Sequence, residues 1–83
     1  MDGRMRFSRS AFKHGITEKN IRCALNRPEY EGPLENDGDK NIVLGFDSSG
    51  NLLELLYDLE DDGSVNVFHA MKCRSIFFHL LDA

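Results

Sequence analysis

Eighty-three residues supply material for one modest hydrophobic core and no second one, so a single domain over residues 1–83 is expected. With 41% hydrophobic and 29% charged residues and a net charge of −4, the chain has the balance of a folded globular protein, not a disordered or fibrous one. The longest apolar stretch, Ile76 to Leu81, is broken by His79 and falls short of the roughly 18 residues a membrane span needs. Met1-Asp2-Gly3-Arg4-Met5-Arg6 leads into charge with no apolar h-region, so a cytoplasmic protein with no membrane partner is expected.

In chain order, Ser8 can cap a short first helix through Lys13-His14, with Gly15 placed as its left-handed terminator. Thr17 is a good N-cap for a second helix, about Glu18 to Asn26. Ile16 and Ile21 stand at the spacing of a hydrophobic staple, Ile21, Ala24 and Leu25 share one stripe, and Pro28 stops the helix. Strand periodicity then takes over. Glu29 to Glu35 reads as a weak, acidic edge strand, Asn36-Asp37-Gly38-Asp39 as a turn, and Asn41 to Phe46 as a strand with Ile42, Leu44 and Phe46 on one face. Ser48-Ser49-Gly50-Asn51 is a further turn, Leu52 to Tyr57 an apolar strand interrupted by Glu54, Asp61-Asp62-Gly63 a hairpin turn, and Ser64 to Ala70 the last strand. Cys73, Ile76, Phe77, Leu80 and Leu81 recur at helical spacing and predict a closing amphipathic helix.

The expected fold is α+β: two N-terminal helices, a four-stranded antiparallel meander and a C-terminal amphipathic helix packed on the sheet, with the helices covering one sheet face. Cys23 and Cys73 have no C-x-x-C partner and fall on predicted apolar stripes, so they read as buried thiols without a disulfide.

Charge is distributed unevenly. Residues 1–27 carry seven basic side chains against Asp2 and Glu18, a balance of +5. Residues 28–70 carry eleven acids against Lys40 alone, −10, and residues 71–83 return to +1. If the fold joins the two ends, a cationic face able to contact phosphate results, whereas the acidic middle could meet a basic partner.

No nucleotide-binding glycine loop, zinc-protease helix or nucleophile elbow is present, and His14, His69 and His79 are too scattered for a metal site, so no metal or cofactor is expected. What remains is polar residues at element ends: His14 beside Lys13, and His69 followed by Lys72 and Arg74. Imidazoles transfer protons near neutrality and Lys or Arg steadies charge developing on phosphate, which are the parts of a metal-free ribonuclease. Each has a structural alternative. His14 could bond its own helix's last carbonyls, His69 shares strand parity with Val65 and Val67 and could sit in the core, and Lys72 and Arg74 could be the wet side of the closing helix. Glu54, among apolar neighbours of its own parity, is either an edge-strand gatekeeper or a site residue, and His79 and Lys40 read as surface.

Phe7-Ser8, Lys13-His14-Gly15-Ile16-Thr17, Ile21 and Ala24, Gly45, Gly50-Asn51-Leu52-Leu53 and Val67-Phe68-His69-Ala70-Met71-Lys72, in this order over nearly the whole chain, resemble the BrnT-type toxins of bacterial type II toxin–antitoxin pairs. The ending His69-Ala70-Met71-Lys72-Cys73-Arg74 resembles a branch of small actinobacterial proteins that end in H-A-M-x-x-R. The resemblance implies a RelE-like fold, metal-independent RNA cleavage and neutralisation by a small antitoxin of ribbon-helix-helix type. By position, Lys13 and His14 fall on the family's K-H-G and Lys72 on the lysine of its A-R-K stretch. Met71 and Asn51 stand where the family has arginines, so two cations are missing unless Arg74 and an N-terminal arginine replace them.

Two functions follow as expectations. The first is a toxin cleaving RNA through 2′-hydroxyl attack, with catalytic residues drawn from His14, His69, Lys72, Arg74, Lys13 and Glu54. The second is a catalytically inactive module of the same fold that binds a basic antitoxin or regulatory partner.

Overall fold

The computed structural model describes residues 4–34 and 38–82. Of the sequence expectations, the leader residues Met1-Asp2-Gly3, the strand end at Glu35 and the Asn36-Asp37 half of the first turn lie outside the described residues. The elements run β1 (Met5–Phe7), a 3-10 turn (Arg9–Phe12), α1 (Glu18–Asn26), β2 (Pro28–Pro33), β3 (Lys40–Phe46), β4 (Leu52–Leu59), β5 (Val65–Lys72) and a 3-10 segment (Ser75–Asp82).

The fold is α+β, but the expected four-stranded antiparallel meander is corrected to a five-stranded mixed sheet of order β1-β5-β4-β3-β2. β2 to β5 pair antiparallel in succession, while β1 pairs parallel with β5 through Met5↔Val65, Arg6↔Asn66 and Phe7↔Val67. Three residues of alternation are too few for a periodicity signal, so β1 is created by the free edge of β5, which satisfies its backbone groups.

The expected first helix is also corrected. Ser8 is extended and its side chain makes no cap, and only four residues, Arg9–Phe12, form a 3-10 turn. Ser8 N–H donates to the Val67 carbonyl at 2.9 Å and Ser10 Oγ donates to the Phe68 carbonyl at 2.6 Å, so β5 holds this segment along its edge and no room is left for a second helical turn. Gly15 has φ of 82° and reverses the chain into α1. There the Thr17 hydroxyl accepts from Asn20 N–H at 3.2 Å, and α1 has the bounds its grammar predicts.

α1 lies on the sheet face formed by Val43, Leu53, Leu55, Tyr57, Val65, Val67 and Ala70, into which it sends Ile21, Ala24 and Leu25. Gly45 of β3 permits this: a Cβ at that position would overlap the Ala24 carbonyl group, lying 2.9 Å from its carbon. Arg22 adds a lateral tie, its guanidinium 5.1 Å from the Phe7 ring centre.

On the opposite parity, Ile42, Leu44 and Glu54 are buried as well, so the central strands are covered on both faces. The chain leaves β5, crosses this second face and ends against β2. Eight residues of 3-10 structure rise about 16 Å, close to the roughly 14 Å of three strand spacings.

The expected closing α-helix packed on the sheet is thus corrected to a 3-10 segment with no fully buried residue. With three residues per turn, Arg74, Phe77 and Leu80 align on one side. Phe77 and Leu80 are half-buried, and Ile76 and Leu81, assigned to the inner stripe by a 3.6 period, face solvent. Phe77→Ala is therefore expected to lower stability by about 1 kcal/mol or more and Ile76→Ala by less than about 0.5, as read from urea midpoints. The two cysteines are free, as expected, but half-buried rather than buried, Cys23 on α1 and Cys73 just after β5.

Candidate functional site

β5 contains one extra residue relative to β4: Tyr57 pairs with Val67 and Leu56 with His69, so Phe68 is a bulge. The parity of β5 reverses there. Val65 and Val67 face the α1 core, but beyond Phe68 it is Ala70 that enters that core, and His69 turns to the second face with its partner Leu56. The shared parity of His69 with Val65 and Val67 is corrected by this single inserted position, while the ring is half-buried and hydrogen-bonded, as a half-core histidine would be.

The reversal aims His69 at Glu54. Its Nε2 is 3.0 Å from Glu54 Oε2, with 20% of the His69 side chain exposed and none of Glu54. β4 is the middle strand of the sheet, so Glu54 is no edge gatekeeper. Its remaining acceptor capacity is taken by Arg74. The Arg74 backbone N–H donates to Oε1 at 2.8 Å, Nε lies 3.1 Å from both oxygens, and Nη2 donates to Oε2 at 2.7 Å. Burial alone would push the Glu54 carboxyl up. The hydrogen bonds from the Arg74 side chain, the Arg74 backbone and His69, together with the arginine's charge, outweigh that and hold it below the ordinary range. Arg74 rests in turn on the Phe77 ring, 5.5 Å from its centre, and is correspondingly held in its charged form by Glu54.

His14 completes the group from the other end of the chain. The 3-10 turn carries it along the edge of β5 to the bulge, where its ring meets that of His69 edge to face, centres 5.6 Å apart at 73°. It is exposed. His14, His69, Glu54 and Arg74 therefore form one contiguous cluster.

Lys13 and Lys72 are not part of it. Lys13 is exposed, and among the described residues its side chain has no hydrogen-bonding or ionic partner. Lys72 pairs with Leu53 and so projects to the α1 side, where its charge helps depress Asp47. The carboxylate of Asp47 organises the following turn, accepting from Ser49 N–H at 2.9 Å, Asn51 N–H at 2.8 Å and Asn51 Nδ2 at 3.2 Å. Hydrogen bonding by Asn51 is the main cause that holds the Asp47 carboxyl below its usual range.

Of the N-terminal arginines, Arg4 and Arg6 do not supply the cations that the resemblance led one to expect at positions 51 and 71. Arg4 and Arg6 lie 2.9 and 3.6 Å from Asp62, beside the start of β5. Met71, paired with Glu54, is half-buried. Lys40, read as surface, is half-buried with its ammonium 5.9 Å from the Phe68 ring centre, and His79 is exposed. Sequence reasoning missed the part played by Phe77, although a three-residue offset from Arg74 was the signal.

Among the described residues no His, Cys, Asp and Glu group is arranged to hold a metal ion, and no helix is long and apolar enough to cross a membrane. No family model, no curated protein and no solved structure matches the chain.

Proposed function

We propose that the protein is a metal-independent ribonuclease, the toxin of a type II toxin–antitoxin pair, acting on RNA in the cytoplasm and held in check by a small antitoxin of the ribbon-helix-helix kind. The observation that carries the nuclease reading is the meeting of His14 and His69, drawn from opposite ends of the chain, beside a buried carboxylate that orients one of them.

Two imidazoles in contact can serve as base and acid for one phosphodiester. One takes the 2′-hydroxyl proton as the oxygen attacks phosphorus, and the other gives a proton to the departing 5′-oxygen, leaving a 2′,3′-cyclic phosphate and a 5′-hydroxyl end. The Arg74 side chain is 47% exposed, and its Nη1 is not committed to Glu54, so it is placed to donate to a non-bridging oxygen as charge grows there. The toxin assignment and its antitoxin rest on the resemblance of the Lys13-His14-Gly15 and His69-to-Arg74 stretches.

Expression of the chain alone, with sequencing of RNA ends, tests the reading. Transcripts with new 5′-hydroxyl ends are expected, and His69→Gln should abolish them while the circular dichroism spectrum is unchanged. Unimpaired growth with intact transcripts would overturn it.

One observation favours the second reading, a partner-binding module without catalysis: the best-placed cation, Arg74, is largely neutralised by Glu54, and Met71 and Asn51 replace the other two. The acidic stretch 28–70 would then meet a basic antitoxin. Formation of a salt-sensitive complex by a protein that cleaves no RNA would select this reading.

A further inference from the structure

We propose that Glu54 assigns the two imidazoles different roles: it fixes the proton of His69 on Nε2, leaving Nδ1 as the base toward the 2′-hydroxyl, and thereby makes His14 the acid toward the 5′-oxygen. The assignment rests on the ribonuclease reading above.

Glu54 is fully buried and receives hydrogen bonds from the Arg74 backbone N–H, Nε and Nη2. Such surroundings favour the ionised form, which has acceptors only. The His69 nitrogen 3.0 Å from Oε2 must therefore carry hydrogen, because two lone pairs at that distance would repel. In neutral imidazole the other nitrogen, Nδ1, then holds the free lone pair. Among the described residues Nδ1 has no hydrogen-bond partner, and no buried side-chain nitrogen or oxygen is left unpaired, so Nδ1 is open to solvent. A base needs an accessible lone pair and a fixed ring, and His69 has both. His14, in contrast, makes no ion pair with a carboxylate among the described residues and is exposed, so its ring can exchange protons with solvent between turnovers.

The step balances. The His69 Nδ1 lone pair takes the O2′ proton, the O2′–P bond forms, the P–O5′ bond breaks, and the His14 ring proton goes to O5′. Exchange with water then removes the added proton from His69 Nδ1 and returns one to the His14 ring. Glu54 touches no substrate. It is a positioning residue, and Arg74 keeps it ionised.

Two measurements on the full-length protein test the assignment. Long-range proton–nitrogen correlation spectra of the wild type, with ring nitrogens labelled, should give His69 as the Nε2–H form at neutral pH, and an Nδ1–H form would overturn the proposal. The second uses a dinucleotide whose 5′-bridging oxygen is replaced by sulfur, a leaving group that needs no acid. His14→Ala should lose on the order of 10²–10⁴-fold on the oxygen substrate and recover most of that on the sulfur substrate, whereas His69→Gln should be equally impaired on both. Recovery of His69→Gln instead of His14→Ala would reverse the roles and overturn the assignment alone. Failure of the wild type to cleave either substrate would remove the ribonuclease reading together with the roles, and the tautomer spectrum would still report whether Glu54 orients His69.

Discussion

Replacing Arg74 by alanine is expected to destabilise the protein by about 2–3 kcal/mol, somewhat below the range found when both members of an ion pair are buried, because only the Glu54 end is buried and the Arg74 side chain is 47% exposed. The reason lies with Glu54, none of which is exposed. Four of its five hydrogen bonds come from Arg74, three of them from the side chain, and without those three its carboxylate is left in an apolar sheet face with only His69 and one backbone N–H as partners. The backbone N–H survives the substitution, but the guanidinium and its charge do not.

For a chain of this length total stability is about 4–12 kcal/mol, so the loss is a large share of it and should appear as a clear fall in the urea midpoint. Arg74→Lys should recover only part, because an ammonium cannot repeat the forked contact. Replacing both members, Glu54→Leu with Arg74→Met, should come back close to the wild type or exceed it, since no uncompensated charge remains. A single Arg74→Ala variant within about 0.5 kcal/mol of the wild type would contradict the account.

The same carboxylate makes stability depend on acidity. Its folded pKa lies below the ordinary 4.5, so its contribution is fully present above that value and is lost as pH falls through the folded pKa. Wild-type stability is therefore expected to fall below about pH 4.5, and the double replacement should lose less over that window.

Gly45→Ala is expected to have the second large effect, about 1–3 kcal/mol, from an added methyl that contributes no strain of its own backbone. The new carbon would overlap the backbone carbonyl of Ala24. A flexible side chain could swing aside, but a helix carbonyl cannot, so α1 as a whole must lift from β3. That would loosen Ile21, Ala24 and Leu25 from the core they enter. Urea unfolding should give a lower midpoint, with the α1 amide resonances among the most displaced in the spectrum. Wild-type stability in this variant would mean that α1 does not lie this close to the sheet.

Glycine identity at Gly45 is visible in the sequence, but its reason is not, because the group it must avoid belongs to a residue on another element. The same limit runs through the candidate site. His14, His69 and Arg74 could be singled out by type and by position near element ends, and Glu54 as an acid among apolar neighbours of its own parity. Which of the candidates meet could not. Lys13 and Lys72 were equally eligible by chemistry, and strand register turns Lys72 to the opposite face.

What the sequence determined by itself is local. Thr17 begins α1 and Pro28 ends it through backbone groups within a few residues, and the turns at Gly50 and Gly63 follow from glycine's freedom at φ of 83° and 86°. Tertiary structure decided the rest. A bulge at Phe68 inverted the parity of His69, a partner strand made β1 out of three residues, and the crossing of a sheet face with a three-residue repeat set which side of the C-terminal segment is covered. In each case the deciding energy is a contact with a distant segment, in hydrogen bonds or buried area, and no periodicity along the chain reports it.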